Sequence, residues 1–379
     1  MNSLKGLNRT TIPWVRNPDG TPGYTLSPIT GCLNRCSYCY AHRLARTRCR
    51  EHYLKNGIIA PIKLDVYDHM TLEEREADPF FPRIHPERVA TLDALAKRKK
   101  PMGIFLCDMG ELTAPWVPSL WYLEIIDAIR RCRQHRFYVL TKCYHEMAVL
   151  GSLPDNVWPG MSITDALQYS MAIRQLRDMK EAGRMNLVNF LSIEPLLENI
   201  VSFSGNVLRR AGVGWVVIGA ATGRRRDLAS TMEKYGGLTE VKRSAGRITL
   251  LPDIEWIRHI VTEINLARIP YFMKDELRLV EGIDDIFRQD MPTETWVELL
   301  ITPNKGGHYN LSPNDDSSYY FDLVPSWMEK LSFMPERIPF PPGGWKAGKT
   351  YTVEVSQVGN VRVREAPLNR NLEVLKCQD

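Results

Sequence analysis

Five short apolar runs set the limits on this fold: GIFLCDM (103–109), FYVLTK (137–142), LVNFLSIEP (187–195), WVVIGAA (215–221) and YFMKD (271–275). They are too short for helices and nearly continuous in apolar character, the pattern of strands covered on both faces. TLSPIT (25–30), PIKLDV (61–66) and VWPGMSIT (157–164) extend the set. Segments with helical spacing stand between them. Ala41–Tyr53 is studded with arginines, and Glu87–Lys97 puts Val89, Leu92 and Leu95 on one face. Ser119–Arg133 turns Tyr122, Ile125, Ile126, Ile129 and Cys132 inward. Asp165–Ala182 is closed by Gly183, and Asp253–Ala267 presents Ile254, Ile257, Val261 and Ile264. Such alternation predicts an α/β chain with parallel strands and crossover helices, a (β/α) TIM-type barrel, partial or full.

The runs also end alike. Ser27, Asp108, Thr141-Lys142, Ser162, Ser192 to Glu194, Gly219 and Lys274 follow the apolar stretches. Polar and small residues at strand carboxyl ends are the pattern of a barrel's catalytic mouth.

Three segments divide the chain. Residues 1–24 form an irregular lead-in, rich in Pro and Gly around Trp14, which is expected to pack over the barrel floor. Residues 25–292 are the barrel. Residues 293–379 are a small β-rich extension, with a hairpin pairing Tyr351–Val355 and Val361–Arg364 across SQVGN. No run of 18 or more apolar residues occurs, and MNSLKGLNRTTIPW lacks a signal peptide's apolar core, so no membrane partner and a cytoplasmic location are expected. Eight cysteines in 379 residues make no disulfide framework. A net charge of +5 permits a nucleic-acid partner without demanding one.

Three of those cysteines, Cys32, Cys36 and Cys39, follow the first predicted strand in C-x3-C-x2-C spacing, with Gly31 allowing a sharp turn into the loop. Three thiolates on a tight loop can hold three irons of a [4Fe-4S] cluster and leave the fourth open to a small molecule. Two other readings stand beside it. Cys36-x2-Cys39-x2-His42 with Cys32 could hold a structural zinc ion, and the thiols could be inert core groups.

The spacing, with Tyr38 before the last cysteine, resembles the signature of the radical S-adenosylmethionine (SAM) superfamily. The resemblance implies that SAM chelates the open iron and is cleaved by one electron to methionine and a 5′-deoxyadenosyl radical, with flavodoxin or ferredoxin as electron donor. It also implies that Tyr38 shields the cluster, and that Gly110 and Glu111 hold the methionine end of SAM. Only Gly-Glu of the usual Gly-Gly-Glu-Pro stretch is present, with Met109 and Leu112 in the outer places. VLTK, FLSIEPLL, WVVIGAATG and YFMK further resemble phage- and prophage-associated radical SAM-like proteins of unknown function, over roughly residues 25–290.

Ser162, Ser192 and Gly219 are candidates for the SAM ribose, the adenine or the substrate. Glu194 is a candidate catalytic carboxylate, or half of an ion pair with Lys142 or Lys274. Cys107 and Cys143 lie near strand ends. Radical SAM lyases that repair thymine photoproducts in DNA share the loop pattern and use a cysteine as hydrogen-atom donor; a buried structural thiol is the plain alternative. Arg224, Arg225 and Arg226 lean the substrate toward nucleic acid or nucleotide. The rival function is a non-catalytic barrel, stabilised by zinc or a cluster, that binds nucleic acid or a protein.

Overall fold

An eight-stranded sheet carries the fold in the computed structural model of the protein. Its strands are β1 (Asn8–Arg9), β2 (Tyr24–Leu26), β3 (Gly103–Leu106), β4 (Arg136–Thr141), β5 (Val157–Ile163), β6 (Phe190–Ile193), β7 (Trp215–Ile218) and β8 (Tyr271–Met273). They lie side by side in chain order. β1 pairs antiparallel with β2, and every later neighbour is parallel. Among the described residues no pairing joins the two ends of the sheet, so the strands form an open, mostly parallel sheet. The structure describes residues 4–61, 70–149, 153–292, 297–301, 351–355 and 361–365.

Two compact units divide the chain, Met1–Met291 and Pro292–Asp379. In the second, Val297–Ile301, Tyr351–Val355 and Val361–Glu365 form an antiparallel three-stranded sheet. The predicted second strand falls largely on residues 62–69, outside the described residues.

Strand alternation sorts side chains onto two faces. On one, Phe105, Tyr138, Trp158, Phe190, Trp215 and Phe272 form an aromatic layer around Trp14, which is 1% exposed. The Trp14 ring lies 5.1–6.0 Å from Phe105, Tyr138, Phe190 and Trp215. Gly160 makes room for this layer, since a Cβ there would stand 2.5 Å from the Phe190 ring. Two or four residues further along three of these strands, on the same face, come Ser192, Lys274 and Ser162. Aromatic rings thus floor the face and polar groups crown its carboxyl end.

The other face meets the helices α3 (Pro86–Ala96), α4 (Ser119–Arg131), α5 (Ala166–Glu181) and α6 (Ile254–Leu266). Their buried stripes, such as Ile125, Ile126 and Ile129 of α4 and Ile257, Ile260 and Ile264 of α6, join Ile104, Val139, Leu191 and Ile218 in one core. Cys132 belongs to it, fully buried, its Sγ 3.3 Å from the Leu92 carbonyl. Asp165 caps α5 by accepting from the Gln168 N–H at 2.9 Å. Among the described residues no helix is long and apolar enough to cross a membrane.

Three predicted elements are broken. The strand expected over 25–30 ends at Leu26, because Pro28 has no N–H for the ladder. Ile29–Thr30 then pairs with Arg83–Ile84 in a separate small sheet. The helix expected over 41–53 is two, α1 (Tyr40–Arg46) and α2 (Arg50–Asn56). Likewise the run at 215–221 leaves the sheet after Ile218, and Ala221–Arg224 joins a second small sheet with Thr239–Lys242 and Arg247–Leu251.

Candidate active site at the strand carboxyl ends

A cavity of about 570 Å³ opens over the polar end of the sheet's aromatic face. Cys32, Cys36, Tyr38, Cys39, Cys107, Gly110, Glu111, Ser162, Ser192 and Glu194 all line it. Sequence separations of more than 160 residues collapse here because each side chain leaves a strand end or the loop beside one. Cys143 and Gly219 are not among the lining residues.

The cysteine loop is held by backbone. Gly31 turns it with φ +88°, its N–H donating to the Met109 carbonyl at 2.9 Å, and Cys32 N–H donates to Phe80 at 3.1 Å. A Cβ on Gly31 would meet Phe81 at 2.6 Å, and one on Gly110 would meet the Ile29 carbonyl at 2.8 Å. Glycine at 110 is therefore required by chain packing, whatever else it touches. Within the loop, Cys32 Sγ accepts from Asn34 N–H and Cys39 Sγ from His42 N–H, each at 3.4 Å. The His42 ring packs edge-on against Phe80, centroids 5.2 Å apart.

Burial raises the pKa of Cys32 well above the thiol range, and the nearby Glu111 carboxylate adds to it; burial also raises Cys39. Such sulfurs stand as thiolates only beside strong positive charge, which cluster iron supplies. Three sulfurs on one wall, two of them already receiving N–H bonds, fit a cluster-binding set.

Glu111 is 4% exposed at the back of the cavity. It accepts from Thr113 N–H at 3.3 Å and from Lys142 N–H at 3.2 Å, and burial raises its pKa. Lys142 donates to the Ser162 hydroxyl at 2.7 Å, and its Nζ lies 5.4 Å from the Tyr38 ring centroid. Burial lowers the Lys142 pKa, while Cys36, Glu111 and the other loop cysteines favour its charge. Ser192 Oγ is buried without a hydrogen-bond partner. Glu194 pairs with Lys274 rather than Lys142, and Lys274 also stands 3.2 Å from Glu276. Burial opposes the Lys274 charge; the two carboxylates outweigh it and hold its pKa above the ordinary value. Gly219 borders this group, 3.0 Å from Lys274 Cδ by the position its Cβ would take.

The two candidate thiols differ. Cys107 closes β3 in a left-handed conformation, φ +57°, and burial pushes its pKa up to about 12, so it is a protonated S–H at neutral pH. Cys143 is also buried, with Asn34 Nδ2 3.8 Å from its Sγ. The arginine run is elsewhere: Arg225 pairs with Glu240 at 3.0 Å and Arg226 with Asp227 at 3.6 Å, and none of the three lines the cavity.

Sequence reasoning placed Asp108 at a strand end without giving it a role, and missed Arg9 and Arg247 as cavity residues. Asp108 accepts from Ser27 Oγ at 2.6 Å, and burial lifts its pKa from 3.8 to about 6. A carboxyl raised in the folded state binds its proton more tightly than the unfolded chain does. Its penalty is therefore absent below about pH 4 and grows as pH rises through 6. Asp108→Asn keeps the acceptor for Ser27 and should gain on the order of 2 kcal/mol over wild type at pH 7, and little at pH 4. Urea unfolding at the two pH values checks this; identical differences at both would contradict it.

Residues 9–233 match the model of a family described as a protein of unknown function, DUF5131. The chain belongs to this family. No curated protein matches it. Among solved structures it is similar to a spore photoproduct lyase variant with a dinucleoside spore photoproduct, at 10% identity and a TM-score of 0.41, covering 72% of this chain and 80% of that one. Another variant of that lyase, with bound AdoMet and the same photoproduct, is 11% identical with a TM-score of 0.38, over 65% and 75% of the two chains.

Proposed function

We propose that this member of the family is a radical SAM enzyme on an open, partial barrel. One observation carries the reading: Cys32, Cys36 and Cys39 share a single cavity with Glu111, Lys142 and Ser192 at the strand carboxyl ends. When bound, a [4Fe-4S] cluster and SAM supply one-electron cleavage to a 5′-deoxyadenosyl radical.

The chain's own residues divide the remaining work. The three cysteines hold the cluster, with Tyr38 beside Lys142 screening it. Glu111, a buried carboxylate on the cavity wall, offers its negative charge to an ammonium group such as the amino end of SAM, and Gly110 lets that end approach the backbone. The unpartnered Ser192 hydroxyl and Ser162 take sugar hydroxyls. Cys107, a protonated thiol on the cavity wall, is placed to donate a hydrogen atom to a substrate radical; Cys143, off that wall, is less suited. Glu194, tied to Lys274, orients groups at the rim rather than moving protons. Arg9 and Arg247, both exposed at the rim, suit the phosphates of a nucleotide or nucleic acid.

Anaerobic reconstitution with iron and sulfide tests the cluster. The expected product is a brown protein with about four iron and four sulfide per chain that binds SAM. A colourless chain holding one zinc ion at the loop would overturn the reading.

A further inference from the structure

Beside the cysteine loop's helices, two imidazoles and a carboxylate converge. Ligand atoms of His52, His85 and Glu87 lie within 4.8 Å of one another. His52 sits on α2; His85 precedes α3, and Glu87 is in its first turn. His85 Nδ1 and Glu87 Oε1 face each other at 3.7 Å, and both atoms are buried without a hydrogen-bond partner.

The remaining ring nitrogen explains the conflict. His85 Nε2 is 2.9 Å from the Thr30 hydroxyl. With Nε2–H donating to Thr30, Nδ1 turns a lone pair toward a carboxylate oxygen. Two buried acceptors without a donor cost about 1–3 kcal/mol each. In the alternative tautomer Thr30 donates to Nε2 and an Nδ1–H faces the carboxylate, but at 3.7 Å it makes no hydrogen bond, so both atoms stay unpartnered.

We propose that His52, His85 and Glu87 bind a divalent transition-metal ion, with Zn²⁺ the best match, leaving a fourth position for water. The facing pair is close to the roughly 3.4 Å that separates two ligands on tetrahedral zinc with bonds of about 2.0–2.1 Å. Imidazole with carboxylate suits zinc better than calcium or magnesium, which prefer all-oxygen shells. Thr30 is the outer partner that fixes the His85 tautomer. Asn56 Nδ2 lies 3.1 Å from His52 Nδ1 and donates to the His52 carbonyl at 3.1 Å, which leaves Nε2 as that ring's ligand atom only when Nδ1 carries the proton and Asn56 turns away. Arg88 is the cation beside the site, its Nε 3.8 Å from Glu87 Oε1. Its Nη1 donates to the Ser27 carbonyl at 3.0 Å and the guanidinium lies over the Tyr53 ring, while its Nε, like the two acceptors, has no hydrogen-bond partner. The ion would pin α2 to the start of α3, independently of whether the cysteine loop holds a cluster.

Zn²⁺ titration against a chromophoric chelator decides it, on the full chain with Cys32, Cys36 and Cys39 changed to Ala so that the loop offers no thiolate. One equivalent is expected to bind. His52→Ala, at an exposed position, should weaken it at least about 100-fold, and Thr30→Val about tenfold. No zinc uptake by the folded chain, or equal affinity with and without His52, overturns the site. Should the triple variant fail to fold, His52→Ala in the otherwise native chain should bind one equivalent fewer than its parent; equal stoichiometry and affinity overturn it.

Discussion

Cys36→Ala is expected to yield a colourless protein after reconstitution and to reduce 5′-deoxyadenosine formation to background. Three thiolates are the minimum that holds a [4Fe-4S] cluster with an open iron. Cys36 is the middle one of the three proposed ligands, on a loop whose Gly31 and Cys32 N–H groups are held by the Met109 and Phe80 carbonyls. Of the buried thiols, Cys143 is held beside Asn34 off the cavity wall and Cys107 is fixed at the end of β3, so neither replaces Cys36 on the loop. Cys36 itself is half-buried and outside the main core, so unfolding in urea should shift by less than about 0.5–1 kcal/mol. Loss of iron with unchanged stability separates a ligand from a packing residue. Iron content and turnover retained by the variant would place the cluster, if any, on other groups.

Trp14→Ala is expected to be the most damaging single change to the fold, at about 3–5 kcal/mol. The side chain is 1% exposed and wedged among four aromatic rings from four strands. Nothing in the lead-in can refill that volume, because β1 is only two residues long and the rings are themselves fully packed. Urea unfolding followed by far-ultraviolet circular dichroism measures the loss. A cost below about 1 kcal/mol would mean that the aromatic layer closes over the gap and that Trp14 is a lid rather than a wedge. Because Trp14 also lines the cavity floor, the variant should weaken whatever the cavity binds.

The sheet was legible in the sequence because its strands are buried on both faces and read as apolar runs. β3 to β8 each fall within or next to a predicted run. The polar mouth was legible for the same reason: period-two alternation carries Ser162, Ser192 and Lys274 onto the face that Trp158, Phe190 and Phe272 floor. What failed depends on partners far away in sequence. Ile29–Thr30 leaves the main sheet for Arg83–Ile84, far along the chain, and the break between α1 and α2 carries no Pro or Gly to announce it. Glu194 chose Lys274 over Lys142 because Lys142 reaches Ser162 instead, a matter of register that spacing does not reveal. Arg9, Arg43 and Arg247 reach the rim from three unrelated segments, whereas Arg225 and Arg226 of the conspicuous run are spent on Glu240 and Asp227.

The central claim is that the cavity over the strand ends cleaves SAM. Its most direct test is to incubate the anaerobically reconstituted full chain with dithionite and SAM and to quantify 5′-deoxyadenosine. Time-dependent formation that requires both the cluster and the reductant is the predicted result. A chain that carries an intact cluster, binds SAM and yet releases no 5′-deoxyadenosine would contradict it.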